Sequence, residues 1–152
     1  MHLLFIFGAK YLFALSVMIA GGYFLLQSRP IQKKMIIFGF VSAALTLLIA
    51  LIARYSYTNP RPFVVQHFTP LIPHAPDNGF PSDHALLVGF IAAIIYPFNR
   101  KISAALWLIA IVVAGSRVYV GVHHPIDVVG SFMIAIVMTA CGYWLTERYV
   151  RE

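Results

Sequence analysis

Three arginines, two histidines and a carboxylate stand at the ends of apolar runs in this chain: Arg54, Arg61, His84, Arg117, His123 and Asp127. Imidazole titrates near neutrality, so one ring can attack an electrophile while the other donates a proton. Asp127 lies four residues after His123. A carboxylate on one ring nitrogen fixes the tautomer and stabilises the imidazolium. Guanidinium groups donate paired hydrogen bonds to an anion, and phosphate is the natural one. Phosphoryl transfer asks mainly for positioning and neutralisation of equatorial oxygens, which three arginines can supply without a metal.

Plainer readings exist for each residue. A histidine at a helix end can simply be a satisfied polar group. Asp127 can be a favourable charge on a helix N-terminus, worth about 0.3–1 kcal/mol. "HHPID" can mimic a metal site, but a structural zinc wants four ligands, and Cys141 is the one cysteine. That lone cysteine also excludes a disulfide within the chain. Asp83 either tunes the neighbouring His84 or caps its helix. His124 reads as a bystander, and His67 and His74 as residues facing solvent or headgroups.

The elements that must position this chemistry are membrane helices. Of 152 residues, 61% are hydrophobic and 11% charged, against about 25% charged in a soluble domain. Mean hydropathy is +0.84. One domain, residues 1–152, is expected, as an all-α integral membrane bundle. Five segments can span a bilayer: roughly Ala9 to Leu26, Met35 to Ala53, Ala85 to Phe98, Ile102 to Val120, and Val128 to Leu145. The third is short unless Ser82, Asp83 and His84 form its first turn. Gly39, Ser42, Ala43, Ala104, Ala105 and Gly142 can permit close helix packing. Residues 54–81 carry six prolines yet stay apolar, which predicts an irregular segment packed at the membrane surface. No cleavable signal peptide is evident.

In a soluble protein the net charge of +6 would suggest nucleic acid; here it reports topology instead. Arg29, Lys33, Lys34, Arg100, Lys101, Arg148 and Arg151 fall on one side of a five-span bundle, and Lys10, Arg54, Arg61 and Arg117 on the other. The richer side is cytoplasmic by the positive-inside rule, which puts the C-terminus inside and the N-terminus outside. The outer face then collects Arg54, Arg61, Ser82, Asp83, His84, Ser116, Arg117, His123, His124 and Asp127. Charged groups near hydrocarbon are costly and mark function. Pro81 and Ser82 suit the start of the third helix and Pro125 the start of the fifth, and helix N-termini favour phosphate.

Three stretches complete a pattern: "RYSYTNPRP" from Arg54 to Pro62, "PSDH" from Pro81 to His84, and "SRVYVGVHHPID" from Ser116 to Asp127. In this order and spacing they resemble the three motifs of the type 2 phosphatidic acid phosphatase superfamily. Arg54 stands where lysine is usual and Asp83 where glycine is usual. "PSDH", with "NPRPF" and "LIPHAPDNGF", is similar to the bacitracin-resistance type of undecaprenyl-diphosphate phosphatase. The superfamily has typically six spans.

The resemblance implies a lipid phosphatase of the cytoplasmic membrane, acting on a polyprenyl diphosphate at the outer face with no cofactor and no metal. By position it implies His123 as nucleophile forming a phosphohistidine, Asp127 as its orienting carboxylate and His84 as proton donor to the leaving group. It implies Arg54, Arg61, Ser82 and Arg117 as holders of the phosphate oxygens, with Asp83 and Ser116 as modulators. Phosphatidylglycerol phosphate and phosphatidic acid are rival substrates, since the motifs read phosphate and not the tail. A transporter passing an anion along the arginines is a rival of another class, disfavoured because the charges sit at span ends.

Overall fold

Apolar runs bounded by prolines and capping residues fold into helices in the computed structural model, which describes residues 2–151. They are α1 (His2–Lys10), α2 (Leu12–Leu25), α3 (Arg29–Ser56), α4 (Pro62–Val65), α5 (Asp83–Ile95), α6 (Arg100–Tyr119) and α7 (Pro125–Arg151). Ser28 precedes α3 with Pro30 in its first turn, Pro62 opens α4 and Pro125 opens α7. Proline fits there because a first-turn N–H has no intrahelical acceptor. Asn99 caps α6, its side-chain oxygen accepting from the backbone N–H of Lys101 at 3.1 Å and Ile102 at 3.0 Å. Among the described residues no strand forms; Pro60 and Asn78 make an isolated bridge.

The all-helical bundle expected from sequence is what the chain forms. α3, α6 and α7 are each long and apolar enough to cross a membrane, and α1 with α2 adds a fourth candidate if the pair is one span. Two details differ from the sequence reading. The first segment is not one straight helix, because α1 and α2 meet at a 45° bend. The third is only 13 residues long, about 20 Å of rise against a hydrocarbon core of about 30 Å.

α5 is nevertheless the centre of the bundle. It packs on α6 and α7 most extensively, and also on α2 and α3. Enclosure explains its all-round apolar sequence, with Ala85, Leu86, Val88, Gly89, Ile91, Ala92, Ala93 and Ile95 all buried. Ile91, Ala92 and Ile95 pack with Leu106 of α6, and Ser103 donates to the Ala92 carbonyl at 2.8 Å. The outer surface is greasy instead, with Leu26, Phe40 and Trp144 well exposed. Such a surface suits lipid.

Only some of the small residues serve packing. Ser42 and Gly142 bring α3 and α7 together so closely that a Cβ on Gly142 would lie 2.1 Å from Ser42 Oγ and 3.0 Å from its Cα. Gly39 has nothing within 4 Å of such a Cβ, and Ala104 and Ala105 are exposed, so these three do not seat a helix. Gly142→Val is expected to destabilise the protein by about 1–3 kcal/mol through overpacking, whereas Gly39→Ala leaves stability equal or slightly higher. Thermal unfolding of both variants in the same detergent checks the contrast.

Candidate active site

Residues 57–82, the long proline-rich connection, do more than cover a surface. They fold back over the ends of α3, α6 and α7, and polar side chains tie them down. Asn78 donates to the carbonyls of Arg54 and Tyr57, each at 2.9 Å, and accepts from the N–H of Asn59 at 2.9 Å and Phe80 at 3.1 Å. Gly79 donates to the Asn59 carbonyl at 2.9 Å, and Leu71 to that of Val120 at 3.0 Å. A Cβ at Gly79 would come within 2.9 Å of Asp127 Oδ2 and 3.0 Å of the Asn59 carbonyl, so only glycine lets the strap lie this close. Ser131 of α7 accepts from the Ser82 N–H at 2.8 Å and donates to the Asp127 carbonyl at 2.7 Å, which pins the start of α5 to α7.

These ties gather the predicted residues at one end of the bundle. Asp127 is wholly buried and fully used. One oxygen accepts from Asn59 Nδ2 at 2.7 Å. The other accepts from the His124 N–H at 2.8 Å and faces His123 Nδ1 at 3.4 Å. With Nδ1–H directed at the carboxylate, His123 Nε2 keeps its lone pair for chemistry. Arg61 lies against the same ring, its Nη1 3.3 Å from Nε2. That nitrogen also donates to the Val122 carbonyl at 2.8 Å, and Nε donates to Asp77 at 2.7 Å. Burial lowers the pKa of His123; hydrogen bonding to Asp127 opposes this, and Arg61 and Arg117 add to the lowering. The ring therefore rests neutral at neutral pH. Burial alone would raise Asp77, but the Arg61 hydrogen bond and charge outweigh it and hold the carboxyl below its ordinary value.

Two donors beside this pair have no partner. Ser82 Oγ and Arg117 Nε are buried and unsatisfied, although Arg117 Nη1 reaches the Ala9 carbonyl at 3.4 Å. A buried donor left empty costs about 1–3 kcal/mol, more when charged. Among the described residues the hydroxyls of Ser16, Ser42, Thr46 and Thr139 are unsatisfied as well, so the charged Arg117 Nε is the group that points most strongly to a ligand. His84, half-buried in the first turn of α5, packs edge-on to Phe13 with ring centroids 5.2 Å apart. It lies within electrostatic range of Arg117, His123, Asp83 and His74. Arg54 sits at the rim, in an ion pair with Asp83. Ser116 is buried on α6, its hydroxyl against Gly8 of α1. His124 Nε2 lies 3.1 Å from the Pro60 carbonyl, a tether between two loops.

Sequence reasoning passed over Asn59, Asp77, Asn78 and Ser131, which place the charged groups. Asn59 precedes Pro60, and "DNG" at residues 77–79 is a turn signal; neither reveals its partner. His74, read as facing solvent or headgroups, instead packs edge-on to His123 with centroids 6.1 Å apart. Its pKa is lowered by burial first and by Arg61 next. α1 also reaches the site: Ala9 packs with Ile72, Val120 and Val122.

Known proteins are similar to this chain in sequence and in fold. The PAP2 superfamily matches residues 34–151. Undecaprenyl-diphosphatase BcrC of Bacillus subtilis (strain 168) is 36% identical over 107 residues, covering 70% of this chain and 55% of that protein. The bacitracin transport permease protein BcrC of Bacillus licheniformis is 29% identical over 119 residues, covering 77% of this chain and 58% of that protein. The chain thus spans little more than half the length of these curated relatives. In three dimensions it is similar to Aquifex aeolicus LpxE, with TM-score 0.70 at 22% identity over 93% of this chain and 81% of that one, a likeness of fold. With its three motifs drawn to one end of the bundle and a family match along most of its length, the chain belongs to the PAP2 superfamily.

Proposed function

We propose that this chain, acting as a single domain, hydrolyses the terminal phosphate of a polyprenyl diphosphate, undecaprenyl diphosphate foremost. The observation that carries the reading is the pair of unsatisfied buried donors, Ser82 Oγ and Arg117 Nε, beside the buried His123–Asp127 pair. An anion with several acceptor oxygens completes them and also neutralises the buried Arg61 and Arg117 charges, which a neutral ligand cannot do. The name of the Bacillus subtilis relative supports the choice of lipid.

In this reading His123 Nε2 attacks the terminal phosphorus. The bond from phosphorus to the bridging oxygen breaks, and His84 gives its proton to the departing lipid monophosphate. Asp127 stabilises the positive charge that the ring acquires. Water then attacks the phosphohistidine, His84 takes its proton, and inorganic phosphate leaves. Arg61, Arg117, Ser82 and Arg54 bind the oxygens, and their charges replace a metal. A bound phosphate also brings the negative charge that favours the protonated His84 needed for the first step. The site lies at the outer interface of the cytoplasmic membrane, with the prenyl tail left in lipid.

A second reading, of another class, takes support from the transport permease name of the Bacillus licheniformis relative: the arginines would pass an anionic lipid headgroup without cleaving it. His123→Ala and His84→Ala, purified in detergent, are each expected to abolish phosphate release from undecaprenyl diphosphate while still unfolding cooperatively, His123→Ala at a lower temperature because Asp127 loses one of its donors. Full activity in either variant overturns the enzymatic assignment. Assayed beside phosphatidylglycerol phosphate and phosphatidic acid, the polyprenyl diphosphate is expected to give the highest kcat/KM.

The pH profile offers an independent check. The nucleophile must be neutral, and His123 is held neutral to below the ordinary histidine value of about 6.5. The acid limb of kcat/KM should therefore fall below about pH 6.5. Asp127→Asn removes the interaction that raises the ring's pKa, so the limb should move further towards acid. At the same time kcat should drop by roughly 10²–10⁴, because the ring's developing charge loses its carboxylate.

A further inference from the structure

The arginines of the site fall into two classes. Arg61 and Arg117 are buried, at 4% and 3% exposure. Arg54 is not: its side chain is 39% exposed and that of its partner Asp83 is 72% exposed. Arg61 is also engaged by an acid, but through Nε, with Asp77 behind it and Nη1 turned towards His123. Arg54 by contrast spends the terminal nitrogen Nη2 on Asp83, the end of a guanidinium that would meet an incoming phosphate. Asp83 is also the first residue of α5, between Ser82 and His84, and within electrostatic range of Arg117 as well as His84. A carboxylate therefore stands at the mouth of an anion site and holds one of its cations.

Resting on the phosphatase reading, we propose that Asp83 is an internal competitor for phosphate: it occupies Arg54 in the empty site, yields it to the substrate, and takes it back as inorganic phosphate leaves. Two physical effects act together. Arg54 must give up one charge-assisted hydrogen bond to make another, so its net gain on binding is small. The carboxylate also repels a phosphate dianion a few ångströms away. Both weaken binding of any phosphate, including the product, whose retention would otherwise slow turnover. Asp83 thus positions Arg54 and sets how tightly anions are held; it takes no part in the bond cleavage.

Inorganic phosphate is the probe, read as protection of the purified full chain against thermal unfolding, beside KM for undecaprenyl diphosphate. Asp83→Asn should lower the half-saturating phosphate concentration and the KM by about three- to tenfold. Asp83→Glu, which restores the carboxylate, should return both to near the wild-type values. In an Arg54→Gln background the gain from Asp83→Asn should shrink to the part that direct repulsion supplies, less than half of the wild-type gain. Equal or weaker phosphate binding in Asp83→Asn overturns the inference, because Asp83 would then be orienting Arg54 productively. A gain undiminished without Arg54 overturns it also, because Asp83 would then not be competing for that cation. If phosphate protects not even the wild type, the anion site itself is wrong and the inference falls with it.

Discussion

A carboxylate with no access to water dictates the architecture around it. Burying Asp127 costs several kcal/mol unless its oxygens are satisfied. Three donors from three places satisfy them: Asn59 from the segment after α3, the His124 backbone, and the ring of His123. The last two are local, three and four residues before Asp127 at the start of α7, and only Asn59 is brought from a distance. The strap of residues 57–82 must fold back for Asn59 to arrive, and Asn78 and Gly79 hold it there. The loop is thus held in place by the same charge that orients the histidine. Positioning of His123 and anchoring of the strap therefore share one acceptor, Asp127.

The same logic extends outwards. Arg61 is almost fully buried, yet it has an acid on one side and a carbonyl and a ring on the other. Asp77, well exposed, reaches in to meet it. Arg117 has less: one long hydrogen bond and one nitrogen with none. The network is therefore satisfied at its back and open at its front. In a purely structural ion-pair cluster the members would complete one another, and here Arg117 is left incomplete.

Much of this was legible in the chain. Apolar runs and the prolines at residues 30, 62 and 125 mark where helices begin, because both act through local backbone physics. The spacings that set Arg54, Arg61, Ser82, His84, Arg117, His123 and Asp127 apart from ordinary helix-end residues are also readable. What was not legible is tertiary. The bend between α1 and α2 follows no proline and no glycine at Tyr11. His74 and His123 meet from distant parts of the chain, and nothing in "LIPHAP" forecasts it. Asp77 looked like turn chemistry, and only the fold shows which arginine it serves. Small residues misled for the same reason: Gly39 and Gly142 are alike in sequence, and one faces open space while the other seats a helix.

The short central helix unites these points. At 13 residues it stops early, and the chain before it belongs to the strap. Ser82 and His84 then sit below the rim, among groups partly removed from water, where electrostatic interactions are stronger. Asp83 points the other way, to the exposed edge. One helical turn at the end of an apolar run therefore presents three polar side chains to three environments. A buried hydroxyl, a half-buried imidazole and an exposed carboxylate follow one another in sequence because the helix ends at the boundary between protein interior and solvent.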